Sequence, residues 1–597
     1  MAARGEAESP GYSREKISFA LVLSADGEPI DRIDFRQVNG KRLVPALKEV
    51  PAAVRRTMAI SPNLFWDKTA YALGRTGAED ARTLQEHNAF RTLHLEVLAG
   101  ANDAGLAALR RFLERWMPER FDAPPFIPEM LDTNVVFRLD GDAGFIHERE
   151  AARRIVEARS AGDAEQAMCL ITGAVAPVRR LHPSIRGVEG AQSSGASLVS
   201  FNLEAFKSYG KEQGDNAPTS EAAAFRYGAA LNRMLDRGSR DRIQRTVGDT
   251  TVVFWADASG VGETAANAAE DVFATIFDPP STKPASDSDA QEAVKLRDRL
   301  EDFAKGRPVK HIDPRLEPGT RFYVLGLAPN AARLSVRFWL EDRFEHVAHR
   351  LGLHARDLAI EPQPGGWVRP PSVQRLLVKT TALQEKFDNI PPQLGGEVTR
   401  AVLTGLPYPR TLLSAAIMRL RAGDDPRSGW RAAAIKACIN RALRFRFGEG
   451  ARPDGSRTLE RSNEEEIPVA LEPQSKNAAY QLGRLFAVLE AAQYAALGRV
   501  NAPIGDRYSA AASATPARVF GPLLRGLKHH VSDAKKRGKG GWIEPKVGEI
   551  MLMLPPDLPR TLHLEDQGRF AVGYYHERAT RPATSNDTET EGKNNDE

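Results

Sequence analysis

The chain has 597 residues, too long for one ordinary hydrophobic core, so several domains are expected. Its composition, 42% hydrophobic and 27% charged with a net charge of only +4 from 82 basic and 78 acidic residues, is that of a globular protein and singles out no partner. It holds no apolar run of about 18 residues, which excludes a spanning helix, and its polar N-terminus lacks a secretory core; a cytoplasmic protein follows.

In chain order, residues 1–14 read as a flexible lead. KISFALVL (16–23), the turn SADGEP and IDRIDF predict a β-hairpin. From Asp80 to Trp116, leucines at 84, 93, 95, 98, 106 and 109 predict amphipathic helices, and NVVFRLDG (134–141) a strand. Residues 169–218 alternate short strand-like pieces with glycine, serine and proline, as in an ordered, loop-rich segment. A helix is expected over 220–235 with Ser220 as its N-cap, then a buried strand in GDTTVVFWA (248–256).

DPPSTKPASDSDAQ (278–291) has a linker's composition and marks the clearest internal break. Two strand-like runs follow, Phe322–Leu327 and Leu334–Leu340, punctuated by Pro329 and Asn330. Beyond Arg343 the pattern is helical. Its best helix begins near Ser475, carries the stripe Leu482, Leu485, Phe486, Leu489, and ends at Gly498. EDQGRFAVGYYHER closes the ordered part, and 579–597 reads as a disordered tail. The fold class is α+β: a mixed α/β N-terminal region with ordered loops (15–277), a linker-like segment (278–296), a middle region that is mixed and then helical (297–470), and a helical C-terminal bundle (471–578).

No phosphate-binding GxxxxGK[ST], HExxH or GxSxG motif occurs, and two cysteines, Cys169 and Cys438, cannot build a four-thiolate zinc site. Cys169 and His182 could meet as nucleophile and base, but a Cys in the apolar run MCLI reads first as a core residue. Asp67, Asp132, Asp140 and Asp249 are scattered singly, and His529–His530 point apart on a helix, so no catalytic residue, metal ligand or cofactor is assigned. Three stretches suit nucleic acid. Arg525, Lys528, Lys535, Lys536, Arg537 and Lys539 could hold a phosphate backbone, with KKRGKGG (535–541) a flexible loop, or form a solvated surface. The stretch Gly187–Gly195, with Gln192, Ser193 and Ser194, could approach phosphate or base edges, or cap its own turns. ISPNLFWDKTAYALG (60–74) sets Asn63 and Lys68 among aromatics, as a wedge for bases or as a core-facing Trp66 with Asp67 capping a helix.

Many long blocks, in order, resemble one family. They are SPNLFWDKTAYALG, CLITG, LHPSIRGVEGAQSSGASLVSFNLEAFKSYGKEQGDNAP, GDTTVVFWA, YVLGLAPNAARLSVRFW, AAYQLGRLFAVLEAAQ, DRYSAAASATPARVFGPLLRGLKHH and LEDQGRFAVGYYHER. The family is the large subunit of the subtype I-C (Dvulg-type) CRISPR Cascade, and the resemblance spans Ile17 to Arg578. It implies a non-catalytic, non-membrane subunit of a CRISPR RNA-containing complex with backbone and guide-end subunits. That subunit reads the flank of the target in double-stranded DNA, promotes opening, holds the displaced strand and helps recruit a helicase–nuclease. Carried onto this sequence, it points to Asn63 and Lys68 and to Gln192, Ser193 and Ser194 for the flank. The basic set from Arg525 to Lys539 is assigned to the displaced strand or backbone. A separately translated small subunit is a further implied partner; with no Met between Met418 and Met551, its start would be a non-AUG codon near Val469 or Leu471. The family's short apolar N-terminal helix has no counterpart in MAARGEAESPGYSREK. Two rivals are a metal-dependent nuclease and a purely structural scaffold.

Overall fold

The computed structural model describes residues 11–39, 42–54, 60–77, 82–161, 166–279, 287–364, 367, 371–382, 386–425, 427–447, 465–498, 500–501 and 503–580. It divides into two compact units, residues 1–185 with 197–233, and residues 186–196 with 234–597.

The first unit starts with β1 (Tyr12–Ile17), β2 (Phe19–Leu23), β3 (Pro29–Asp34), β4 (Gln37–Asn39), β5 (Arg42–Val44) and β6 (Ala46–Pro51). The predicted hairpin is β2–β3. The predicted strand 16–23 is two strands, broken at Ser18, whose N–H donates to Asn134 O. Residues 12–14 of the expected lead are paired, since β1 runs antiparallel to β6 from Tyr12; residues 1–10 lie outside the described residues. β7 (Trp66–Lys68) and β8 (Asn134–Leu139) complete a sheet of order β3-β2-β8-β7, with β2 and β8 parallel. Every residue of β2 is buried, as its unbroken apolar FALVL requires of a central strand.

Between β7 and β8 run α1 (Thr69–Ala72), α2 (Thr83–Val97) and α3 (Ala104–Arg115). Asp103 caps α3 by accepting from Gly105 N and Leu106 N at 2.9 and 3.1 Å. The helix then buries Leu106, Leu109, Phe112 and Leu113 in one core with Phe19, Leu21 and Phe137. After α4 (Glu150–Ala161), the short strands β9 (Gln166–Met168), β10 (Val175–Pro177), β11 (Ser184–Ile185) and β12 (Ala196–Ser197) punctuate the loop-rich stretch. α5 (Glu221–Leu235) opens where expected, with Ser220 Oγ accepting from Ala223 N at 3.2 Å.

In the second unit β13 (Thr251–Ala256), β14 (Arg321–Asn330) and β15 (Arg333–Arg343) form consecutive antiparallel ladders, the last two a hairpin. One sheet face packs Val252, Phe254, Phe322, Val324, Phe338 and Leu340 into the main core with α6 (Glu263–Phe277), α7 (Asp287–Ala304), α8 (Val309–Ile312) and α9 (Phe344–Leu358). The 278–296 segment is therefore not a boundary. β13 and β14 pair across it, and α7 begins at Asp287, burying Ala293, Leu296, Leu300 and Phe303; residues 280–286 lie outside the described residues.

The remainder is helical, as expected: α10 (Val373–Lys379), α11 (Pro392–Thr404), α12 (Arg410–Arg421), α13 (Gly429–Phe447), α14 (Ala478–Leu497), α15 (Ile504–Ala514), α16 (Pro516–Lys536), α17 (Ile543–Leu552) and α18 (Leu564–Ala579). α14 is capped by Asn477 and ends at Gly498, whose φ of 74° is one a side chain disfavours. α14 and α18 cross at small residues: a Cβ on Gly483 would meet Phe570 O at 2.0 Å, and one on Gly573 would meet Tyr480 O at 2.1 Å. Fully buried Arg484 then ties three helices, donating to Glu577 on α18 and Glu549 on α17, each at 3.0 Å. α14–α18 share their own core, while α18 also packs on α13, within one unit. The expected tail lies outside the described residues from 581 on.

Candidate nucleic-acid interface

In the first unit, Asn63 precedes β7 and Lys68 is its last residue, and the two have different fates. Asn63 is 4% exposed. Its side-chain oxygen accepts from Val54 N at 2.9 Å, and its own N–H donates to Asp67 Oδ2 at 2.8 Å. Asp67 is fully buried and also accepts from Lys68 N. Phe65 adopts a left-handed φ of 65°, and its N–H is taken by the buried His94 ring at 2.8 Å. Trp66 is buried and donates its indole N–H to Pro51 O at 2.7 Å. Asn63 thus ties Val54 to Asp67 from within the fold and is not presented to solvent. Lys68 is exposed and has no acidic partner among the described residues.

In the second unit, the 187–195 stretch is two consecutive turns on a fixed base. Ala191 N bonds Val188 O and Gly195 N bonds Gln192 O, with Gly190 and Gly195 at φ of 77° and 96°. Gly187 sits so close to Leu235 that a Cβ would meet Leu235 O at 2.6 Å. Buried Arg242 donates to Gly187 O (3.0 Å) and Leu235 O (2.6 Å), and Glu189 N donates to Thr251 Oγ1 at 3.1 Å. Gln192, Ser193 and Ser194 are all exposed at the tip. The turns close through their own backbone and are anchored by the Arg242 and Thr251 side chains, which leaves Gln192, Ser193 and Ser194 at the surface.

The basic run starts on a helix and ends in the expected loop: Arg525 to Lys536 are helical, and residues 537–541 are turn and coil. α16 extends to Lys536, Arg537 is its C-cap, and only Gly538 (φ 70°) breaks the chain direction. Arg525, Lys528, Lys535, Lys536, Arg537 and Lys539 are all exposed. Lys535 is engaged by Glu544, and Lys536 by Asp533 at 2.9 Å, which holds the Asp533 carboxyl below its usual range. Arg525, Lys528 and Lys539 have no acidic partner among the described residues. The pair His529–His530 sits inside this helix rather than at its end, and burial pushes His530 down.

The remaining chemistry-bearing residues are tied into local structure. Buried Cys169 accepts from Ser220 N at 3.2 Å, and this bond with one from Thr172 brings its thiol down to about 6. His182 bonds the Tyr227 hydroxyl instead, and burial lowers its pKa, so the two do not form a nucleophile–base pair. Asp132 accepts from Thr76 and Gly77, and Asp249 pairs with Arg337. Among the described residues no group of three or more His, Cys, Asp or Glu is placed to hold a metal, and no helix is long and apolar enough to cross a membrane.

Sequence reasoning missed one surface group. The expected buried strand is β13, in which every residue but Trp255 is buried; alternation sends Val252 and Phe254 to the helices and the partly buried Trp255 to the other face, beside Tyr323 and the half-exposed Trp339. Period-two alternation in RLSVRFWLEDR could have revealed the outward Trp339.

A family model described as CRISPR-associated protein (Cas_Csd1) matches residues 1–581, and the chain belongs to this family of CRISPR-associated proteins. No curated protein matches it.

Proposed function

We propose that this chain is the non-catalytic large subunit of a subtype I-C Cascade, acting in the cytoplasm. It recognises the flank of the target in duplex DNA, promotes strand opening, holds the displaced strand and helps recruit the helicase–nuclease. Its partners are the CRISPR RNA with its backbone and guide-end subunits, and a small subunit made from an internal start. The observation that carries this role is the family match over residues 1–581, joined to ordered segments that resemble subtype I-C. In such a complex base pairing reads the sequence, and protein reads the flank and backbone.

Support for flank contact comes from the 187–195 turns. An amide and two hydroxyls stand exposed on a base fixed by Arg242, Gly187 and Thr251, and such groups hydrogen-bond base edges and phosphates. Lys68 adds a cation suited to a phosphate, while Asn63 shapes the loop that carries it. The exposed bases of α16 suit the backbone of the displaced strand.

The test is duplex binding by the assembled complex, comparing the correct with an altered flank. Gln192→Ala combined with Ser193→Ala and Ser194→Ala is expected to lower the ratio of the two affinities at least roughly 5- to 100-fold, the range of one lost base contact. An unchanged ratio removes this turn from flank reading.

A further inference from the structure

The outer face of the β13–β14–β15 sheet carries three rings that the role above leaves unused. Trp255, Tyr323 and Trp339 each come from a different strand, opposite to the core side chains Phe254, Phe322, Val324 and Leu340. Trp255 and Tyr323 are directly paired in register and lie nearly parallel, 5.2 Å apart at 13°. Trp339 lies 5.6 Å from Trp255 and 5.8 Å from Tyr323, and half of it (51%) is open to solvent. Val253, Leu325 and Leu327 on this same face are buried, so the exposed part of it is the end that carries the three rings, and a half-exposed indole there is surface that the fold leaves uncovered.

The charges around the rings favour one kind of occupant. Arg321 and Arg343 are register partners on this same face, and the Arg321 guanidinium sits 5.7 Å over the Tyr323 ring. Like charges placed opposite each other weaken a ladder, so two facing arginines cost the sheet something. Arg343 has no acidic partner among the described residues. Arg321 is held by Glu341 in an exposed pair, which a phosphate can replace at little cost. The other nearby acid, Asp257, is occupied by Ser259 N (2.9 Å) and Oγ (2.6 Å). Aromatic faces beside two guanidinium groups match the alternation of base and phosphate in a single strand.

The opposite end of this face is where the 187–195 turns are fastened. Thr251, two pairs of residues along β13 from Trp255, receives Glu189 N, and Gly190 lies against Pro329 on β14. We propose that Trp255, Tyr323 and Trp339 form a stacking platform for the first unpaired bases of the displaced DNA strand beside the flank. This rests on the reading of the Gln192–Ser194 turn as the flank contact, since that contact delivers the newly separated strand to the same sheet face. Arg321 and Arg343 take its phosphates.

The test uses the assembled complex and a pre-opened DNA bubble next to the flank, with 2-aminopurine at the first unpaired positions of the displaced strand. The bubble removes the need for flank-driven opening. Quenching of the probe by the wild type is expected. Trp339→Leu is expected to lose the quenching and weaken bubble binding by about 5- to 100-fold, the range of one lost stacked base. Trp339→Phe, which keeps a ring, should retain most of both. The flank ratio on closed duplex, measured in parallel, reports on Gln192 to Ser194 separately. Failure of that ratio to respond to the turn variants while the bubble still quenches leaves the platform standing and removes only the flank assignment. Absence of quenching, or unchanged bubble binding by Trp339→Leu in a complex of normal composition, overturns the platform. Crosslinking of Trp339 to guide RNA or to a protein subunit overturns it as well.

Discussion

The basic set at the end of α16 separates into free and engaged charges, and the two should behave differently on DNA. Arg525, Lys528 and Lys539 are exposed without an acidic partner among the described residues, whereas Lys535 and Lys536 are each held by a neighbouring carboxylate, Glu544 and Asp533. A cation that meets a phosphate releases condensed counterions, and for a single strand each such contact adds about 0.7 to the slope of log affinity against log salt. Alanine at Arg525, Lys528 and Lys539 together is therefore expected to flatten that slope by about 2. Lys535→Ala with Lys536→Ala should change it by well under 1, because those charges are already neutralised locally. The assay is displaced-strand retention by the assembled complex, titrated with salt between about 50 and 200 mM, the range where such slopes are resolved. Net charge alone would make the two effects scale as three to two. That ratio, or an unchanged slope in the triple variant, would refute the argument from pairing and take the helix off the strand.

The brace role of Asn63 and the buried histidines give two more outcomes. Asn63→Ala removes the acceptor for Val54 N inside the first unit and should cost about 0.5–1.5 kcal/mol, the net worth of one hydrogen bond whose donor residue is exposed, seen as a lower melting temperature; unchanged melting with lost flank discrimination would instead make Asn63 a DNA contact. His94, His147, His354 and His576 are all held neutral chiefly by burial, their pKa values brought down to about 4, 4, 3 and 4. The unfolded chain takes up these protons first, so the stability they represent is complete above pH 6.5 and is lost as pH falls from 6.5 towards 4. For one such histidine the full loss is about 3 kcal/mol. Thermal melts from pH 7.5 down to 4.5 should therefore fall steeply below 6.5, and a flat profile between 6.5 and 5 would contradict it.

What was legible in the sequence was whatever a local pattern decides. The β2–β3 hairpin, β8, the two runs that become β14 and β15, and α14 with its terminal Gly498 follow from periodicity, turn residues and caps that lie within a few residues of each other; that β14 and β15 join as a hairpin rather than a crossover does not. Composition misled where it outvoted periodicity. The prolines and serines after Asp278 suggest a break, although Ala293, Leu296, Leu300 and Phe303 already repeat at helical spacing just beyond them. KKRGKGG reads as loop throughout, yet its first two lysines finish a 21-residue helix before the chain leaves it at Arg537.

The site divides along the same line. A turn that satisfies its own backbone leaves its side chains exposed, so a glycine-punctuated run such as 187–195 can be recognised as surface from residue types alone. Asn63 could not be placed that way, because its burial is set by a backbone donor nine residues away and by a carboxylate under it. The same holds for Trp255: TVVFWA is apolar on both faces, and only pairing with β14 and β15 decides which residues meet the helices. A polar residue in a signature-like block is as easily a brace as a contact. An aromatic residue in an apolar block is as easily a surface as a core. For this chain the partners decide both cases: the Asn63 amide is spent on Val54 N, and pairing of β13 with β14 turns Trp255 away from the helices.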